Sequence, residues 1–189
     1  RAAFKAVDNN KQVAVLVPTT ILAFQHFKTF SSRLEELPVS VDYLNRFKTN
    51  KEKSIIIEKL NEGKIDIIIG THQLVNDKLK YKDLGLLIID EEQKFGVAVK
   101  DKLKSIRKNV DVLTLSATPI PRTLQFSLMA ARDLSLITTP PPNRYPIETS
   151  VIRFDANIIS QSIRYEIERG GQVFFVNNKI QNIEEISSL

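Results

Sequence analysis

Leu86-Leu-Ile-Ile-Asp-Glu-Glu-Gln93 places an apolar, strand-like run directly before three carboxylates and an amide. A second run of this kind, Val110–Leu115, ends in the residues Ser116-Ala-Thr118. Short continuous apolar runs are typical of parallel strands buried on both faces, and functional residues gather at the carboxyl ends of such strands. The two runs are therefore predicted to be neighbouring strands whose polar ends meet at one edge of a sheet.

Apolar runs and amphipathic stretches alternate through the N-terminal two thirds of the chain. Such alternation is typical of strands and helices in a doubly wound α/β fold with a parallel sheet. The other predicted strands are Val13–Val17, Val39–Leu44 and Ile65–Ile69, and the predicted helices are Ile21–Leu34, Asn50–Asn61 and Val97–Lys108.

A proline cluster at Pro140–Pro146 interrupts this alternation. Because proline cannot continue a helix or a central strand, the cluster indicates a linker. The sequence is therefore predicted to form one α/β domain over residues 1–143 and the start of a second over 144–189. The second would contain strands at Glu148–Phe154 and Gln172–Val176 and a helix at Asn157–Arg169. Helical patterns without caps at both ends indicate a segment of a longer protein.

The composition is that of an ordinary soluble protein, with 42% hydrophobic and 26% charged residues among 189. The absence of cysteine excludes thiol catalysis and cysteine-based zinc sites. No apolar run approaches the ~18 residues of a membrane span, and we expect no membrane partner. The cysteine-free composition is compatible with a reducing cytosol, and we expect a cytoplasmic location. The net charge of +5 fits a phosphate-bearing partner, although many soluble domains carry such a charge. Of the two histidines, His26 is expected to be a surface or packing residue of a helix.

The acidic run Asp90–Gln93 offers the groups that nucleotide hydrolysis needs. A carboxylate at the end of a buried strand can hold Mg²⁺ through water, and its neighbour can orient and deprotonate the attacking water. We assign Asp90 to the metal, Glu91 to the water and Gln93 to sensing the terminal phosphate. The alternative is that the acids cap the following helix, because carboxylates stabilise helix N-termini.

Hydroxyl groups follow the next predicted strand, at Ser116 and Thr118. They are placed to hydrogen-bond the acidic run on the neighbouring strand and so to link a nucleotide site to a domain interface. The alternative is a plain turn before a helix, with Pro119 and Pro121 near its first turn.

Three further segments follow predicted strands and carry groups that can bind phosphates. Hydroxyls and backbone N–H groups at helix N-termini are good phosphate binders, and a cation beside an aromatic suits a nucleic acid. Each segment alone can equally be a helix cap or a turn. The candidate DNA-binding residues are Pro18, Thr19, Thr20, Arg46, Phe47, Thr71 and His72.

Four of these segments, taken in order, resemble motifs Ia, Ib, II and III of superfamily 2 helicases. They are Pro18-Thr-Thr20, Gly70-Thr-His72, Asp90-Glu-Glu-Gln93 and Ser116-Ala-Thr-Pro-Ile-Pro-Arg-Thr123.

Further segments narrow this resemblance to one branch of the superfamily. Phe95-Gly-Val97 and the prolines after Ser116-Ala-Thr118 are similar to the branch that holds the bacterial transcription-repair coupling factors and the RecG-type branch-migration helicases. Within that branch, Arg132-Asp-Leu-Ser135 and Gly170-Gly-Gln-Val173 resemble the coupling factors more closely.

The resemblance implies two RecA-like domains that bind ATP and Mg²⁺ between them and translocate on double-stranded DNA. In the coupling factors such a motor displaces stalled RNA polymerase and couples transcription to nucleotide-excision repair, with the polymerase and repair proteins bound by other regions. A RecG-type helicase, or a non-catalytic nucleic-acid-binding module, remains the alternative. The resemblance places Ser116, Thr118 and Arg122 in the segment that couples hydrolysis to DNA movement.

One element of this family is absent from the sequence. A glycine-rich phosphate loop ending in Gly-Lys-Thr/Ser should precede Arg1, and none of the six glycines lies in such a loop. The strand that feeds this loop, expected at the centre of the sheet, is absent with it. We therefore expect the 189 residues alone neither to hydrolyse ATP nor to unwind DNA.

Overall fold

Five parallel strands organise the N-terminal part of the chain. The computed structural model describes residues 1–76, 79–106, 110–117, 133–140, 147–178 and 180–187. The strands follow the order β2-β3-β1-β4-β5 across the sheet. They are β1 Gln12–Leu16, β2 Val41–Leu44, β3 Ile67–Gly70, β4 Leu84–Asp90 and β5 Asp111–Leu115. All five predicted strands of this region are confirmed, with small shifts at their ends.

Helices cover both faces of this sheet, as the predicted doubly wound fold requires. Residues that alternate along the strands pack into two separate cores. Ile67, Ile69 and their neighbours face α1 and α2, whereas Ile68 and Leu87 face α3 and α4. The helices are α1 Ala2–Asp8, α2 Thr20–Arg33, α3 Asn50–Glu62 and α4 Val97–Ile106.

A buried amide ties this sheet to α3. Gln12 is 5% exposed, and its Nε2 donates to the carbonyls of Leu60 and Ile65, both at 2.9 Å. Its Oε1 accepts from the backbone N–H groups of Lys82, at 2.7 Å, and Asp83, at 3.1 Å. The Gln12 amide thus satisfies four backbone groups from three chain segments, which secures the end of α3 and the start of β4 against β1.

Local capping explains where α3 begins and ends. The hydroxyl of Thr49 accepts from the backbone N–H of Glu52, whose carboxylate accepts from the N–H of Thr49 at 2.7 Å. This reciprocal pair is a capping box. The helix ends at Gly63, whose φ of 78° lies in the left-handed region that glycine adopts without a Cβ clash.

The last strand of the sheet differs from its predicted environment. Val110–Leu115 was expected to be buried on both faces, but β5 is an edge strand, with Leu113 37% and Leu115 40% exposed. The sheet is also continuous from β2 to β5, so the described strands leave no central gap for the strand that was expected to be missing. Among the described strands none pairs with the outer edge of β5, so a further strand can pair there.

Residues Ser135–Leu189 form a second compact unit. Its boundary lies before the predicted 143/144 division, and most of the proline cluster, residues 141–146, lies outside the described residues. The helix predicted at Asn157–Arg169 is confirmed as α5 Ala156–Glu168, which is capped by Asp155, and α6 Ile183–Ser187 follows.

The prediction of strands at Glu148–Phe154 and Gln172–Val176 is wrong. Both segments lack regular secondary structure, and side chains such as Phe174, 92% exposed, and Val176, 87% exposed, lie in solvent. A strand needs a partner to pair its backbone groups, and within the described part of this unit neither segment has one.

Candidate functional site

The carboxyl ends of β4 and β5 bring the acidic run and the hydroxyl segment together. Asp90 pairs in register with Leu115, and the backbone N–H of Glu91 donates to the carbonyl of Leu115 at 3.0 Å. Ser116 is exposed directly after this pair. The structure therefore places the two segments side by side at one edge of the sheet, where the alternation of strands and helices predicted them.

Glu91 is held across the two strands. Its Oε1 accepts from the backbone N–H of Ala117 at 3.3 Å, and its Oε2 accepts from Nε2 of Gln93. Its backbone has φ 52° and ψ 49°, a left-handed conformation that costs a non-glycine residue roughly 1–3 kcal/mol. Glu91 stands at the start of the short 3₁₀ helix Glu92–Lys94 but does not cap it through its side chain. Its carboxylate is thus aimed toward β5 and the segment after it.

Asp90 lies at the mouth of a cavity. Its side chain is 20% exposed, and it borders a cavity of about 170 Å³ lined by the start of α1, by α2 and by the sheet. Val15, Ile88 and Leu113 supply apolar walls. The Asp90 carboxylate is therefore partly withdrawn from water yet open to a ligand, which is the position that the assignment to Mg²⁺ needs.

His26 contacts the Asp90 carboxylate, and this pairing was not predicted from the sequence. Its Nε2 lies 3.1 Å from Oδ2 of Asp90, and the His26 side chain is 27% exposed. The expectation that His26 is a plain surface or packing residue is therefore wrong. The sequence carries no signal for this pairing, because the two residues are 64 positions apart and meet only when α2 packs on the sheet.

The candidate DNA-binding segments follow the other three strands. Because β2, β3 and β1 are adjacent, their carboxyl ends share one half of the edge, and the acidic run occupies the other half with β5. The hydroxyl of Thr19 accepts a hydrogen bond from the backbone N–H of Leu22 at 3.2 Å and so caps α2. This is the helix cap that was the alternative to phosphate binding for that segment. Pro18 and Thr20 are partly exposed beside it.

Arg46 and Phe47 are presented to solvent after β2. The buried side chain of Asn45 accepts from the backbone N–H groups of Phe47, at 3.0 Å, and Lys48, at 3.3 Å. This turn leaves Phe47 71% exposed, with the Arg46 guanidinium 5.1 Å from its ring centroid. An exposed cation stacked on an aromatic offers one charge and one stacking surface to a nucleic acid.

Thr71 does not share this exposure. Its side chain is 5% exposed, whereas that of the neighbouring His72 is exposed. The Thr71 side chain is therefore not available to a phosphate in this structure, and the assignment of Thr71 to DNA binding stays a prediction that rests on its backbone groups. Two other predicted site residues, Thr118 and Arg122, lie outside the described residues.

The class of protein follows from a family comparison. The model of the DEAD/DEAH box helicases matches residues 1–126, which contain the whole edge described above. The chain belongs to the DEAD/DEAH box helicase family. Its acidic box reads Asp90-Glu-Glu-Gln93.

Relatives within this class are named transcription-repair-coupling factor. The chain is 53% identical over its whole length to that of Bacillus subtilis and 55% identical over 97% of its length to that of Haemophilus influenzae. It spans 16% of the length of each. A solved structure of RecG bound to a three-way DNA junction is also similar, with a TM-score of 0.71, 34% identity, 99% of this chain covered and 26% of the RecG chain.

The described residues contain neither a membrane-spanning helix nor a preformed cluster of metal ligands. No helix among them is both long enough and apolar enough to cross a membrane. They also contain no group of three or more His, Cys, Asp or Glu side chains arranged around a metal position.

Proposed function

We propose that this chain provides the first motor domain, residues 1–143, and the start of the second, residues 144–189, of an ATP-driven translocase on double-stranded DNA. The observation that carries the proposal is the position of Glu91, bonded to Gln93 and to Ala117 of the segment after β5, directly beside the partly buried Asp90. Two adjacent carboxylates in different surroundings can take different parts in hydrolysis.

The donor set fits magnesium. Mg²⁺ is usually bound through one or two carboxylates together with substrate phosphates and water, rather than by a cage of protein ligands. Asp90 meets this requirement, since its carboxylate opens on a cavity with room for water. When bound with ATP, Mg²⁺ neutralises charge on the phosphate oxygens. In this proposal Asp90 holds the ion through water.

Glu91 then orients the attacking water and accepts its proton. The bonds from Ala117 and Gln93 fix the carboxylate before the substrate arrives, so little reorganisation is needed at the moment of reaction. Gln93 is bonded to Glu91 and, in this proposal, senses the terminal phosphate. When hydrolysis releases that phosphate, Gln93 loses its contact with the phosphate and so reports the reaction. Ser116, Thr118 and Arg122 pass this change to the domain interface.

The other half of the edge tracks the DNA backbone. Arg46 and His72 supply polar or cationic contacts to phosphates, and Phe47 supplies an apolar surface. Thr19 and Thr20 offer backbone N–H groups at the start of α2, next to Pro18. Thr71 acts through its backbone, because its side chain is buried.

The parent protein displaces stalled RNA polymerase and couples transcription to nucleotide-excision repair in the bacterial cytoplasm. The sequence identity of 52–55% to coupling factors over nearly the whole chain supports this function. Polymerase and repair proteins bind outside this stretch. Branch migration is the second candidate, favoured by the similarity to RecG on a three-way junction. A non-catalytic DNA-binding module is the third.

A polymerase-release assay separates these candidates. The full-length parent should release RNA polymerase stalled on linear DNA in the presence of ATP and should fail to move a three-way junction efficiently. Glu91→Gln should abolish release while ATP binding persists, and Glu58→Gln on the exposed face of α3 serves as the matched control. Junction movement without polymerase release would favour the RecG-type function. DNA binding without ATP turnover in the parent would favour the non-catalytic module.

A further inference from the structure

The His26–Asp90 contact joins two partly buried side chains. The Nε2 to Oδ2 distance is 3.1 Å, and the side chains are 27% and 20% exposed. An ionised carboxylate only accepts hydrogen bonds, so this bond requires the imidazole tautomer with the proton on Nε2. Phe30, one turn further along α2, lies against the imidazole with the ring centroids 6.5 Å apart. The contact therefore restricts the orientations of the Asp90 carboxylate.

Few other polar groups among the described residues line the cavity beside Asp90. The cavity beside it is lined mainly by apolar side chains, and Arg1 is the other charged residue on its wall. A partly buried carboxylate without a hydrogen-bond partner is destabilised. His26 thus supplies a bond that fixes the direction of the metal-binding oxygen, in the way that outer partners orient carboxylate ligands in other metal sites.

Helix α2 connects this contact to the DNA-facing half of the edge. The helix begins at Thr20, after the Thr19 cap, at the carboxyl end of β1. His26 follows six residues later, which is ~9 Å along a helix axis. A displacement of the Thr19–Thr20 turn therefore moves the imidazole as part of one rigid element.

We propose that His26 is a positioning residue that orients Asp90 for the metal and links that carboxylate to the DNA-facing start of α2. This inference rests on the proposed function, since it takes Asp90 as the residue that holds Mg²⁺. It adds a residue outside the helicase motifs and a physical path between the two halves of the edge.

Metal affinity in the full-length parent tests the positioning role without turnover. Mn²⁺, used in place of Mg²⁺, is titrated by electron paramagnetic resonance with a non-hydrolysable ATP analogue present. His26→Leu removes the donor and should weaken Mn²⁺ binding about tenfold, the lower end of the effect of outer-shell changes. His26→Gln keeps an N–H donor and should restore most of the affinity. Ser32→Leu, exposed on the same helix, should leave the affinity unchanged.

DNA stimulation tests the link through α2. The ratio of ATP turnover with and without double-stranded DNA should fall in His26→Leu and recover in His26→Gln. If His26→Leu weakens Mn²⁺ binding but does not change this ratio, His26 orients Asp90 but the link through α2 is overturned. If His26→Leu does not fold, His26→Asn replaces it, because the shorter amide cannot reach Asp90.

The same titration separates failure of this inference from failure of the proposed function. Unchanged Mn²⁺ affinity in a folded His26→Leu variant, or equal losses in His26→Leu and His26→Gln, would overturn the positioning role. Unchanged affinity in Asp90→Asn would instead remove Asp90 from metal binding, and the inference would fall with the function on which it rests.

Discussion

The carboxylate of Glu91 accepts a hydrogen bond from the backbone N–H of Ala117 at 3.3 Å, although 26 residues separate the two. The bond joins the residue after β4 to the segment after β5, so any shift of that segment changes the position of the carboxylate. It gives a physical basis for coupling the proposed hydrolytic group to the segment that contains Ser116.

Removing this backbone donor tests the coupling. Ala117→Pro has no N–H and should lower the turnover number of the parent on the order of 10²-fold, because a misplaced catalytic group costs about that much. Binding of a fluorescent ATP analogue should persist, since the donor contacts Glu91 and not the nucleotide. Steady-state turnover and equilibrium binding measure the two quantities. Ala117→Ser keeps the N–H and is the control, and equal activity of both variants would contradict the role of the bond.

Replacing Gln12 should destabilise the first unit. Gln12→Leu leaves four backbone groups from three segments without their partner in a buried position, and each unsatisfied group costs about 1–3 kcal/mol. We expect the free energy of unfolding to fall by at least about 3 kcal/mol, measured by urea denaturation. Gln25→Leu, at an exposed position of α2, should change it by less than about 0.5 kcal/mol. A Gln12→Leu loss below about 1 kcal/mol would mean that water replaces the amide.

Arg46 and Phe47 should contribute differently to DNA affinity. Arg46→Ala should weaken binding of double-stranded DNA and reduce the slope of log K against log salt by about 1, because one phosphate contact is lost. Phe47→Ala should weaken binding with little change in that slope, since stacking and apolar contacts release no counterions. Fluorescence anisotropy across a salt series measures both effects. Lys59→Ala on α3 is the control for charge, and a similar loss there would indicate non-specific attraction by the net charge of +5.

The 189 residues by themselves should not hydrolyse ATP. The sequence contains no glycine-rich loop with the lysine that grips the β- and γ-phosphates, so Asp90 and Glu91 have no partner to position the nucleotide. A phosphate-release assay on the purified chain should give the same signal with and without Mg²⁺, whereas the full-length parent should show turnover. Magnesium-dependent release by the isolated chain would contradict the prediction.

The strands of the first unit were predictable because their signal is local. Runs such as Ile65–Ile69 and Leu86–Ile89 are short, β-branched or leucine-rich and bounded by turns, and each became a strand of the parallel sheet. The predicted strands of the second unit carried a similar local pattern but had no partner strand among the described residues. A pattern of alternating side chains indicates that a segment can be a strand, and only pairing makes it one.

For the candidate site, too, only the features that depend on local sequence were predictable. The positions of Asp90, Glu91 and Ser116 at strand ends follow from the sequence, since functional groups gather at the carboxyl edge of a parallel sheet. The burial of Thr71 and the exposure of Phe47 do not follow from it, because both depend on how the turns after β3 and β2 pack. The order β2-β3-β1-β4-β5, which groups the segments proposed to face DNA on one half of the edge, is likewise a result of long-range pairing.

The amino-acid sequence by itself determined the α/β class, the strands of the first unit and the chemical groups at their ends, because these depend on neighbouring residues and on the period of the side chains. The tertiary structure alone decided which strand ends are neighbours, and it brought Asp90 to His26 across 64 positions and Gln12 to Lys82 across 70. Contacts of that range arise when strands pair and when helices pack on the sheet, and no local pattern encodes them.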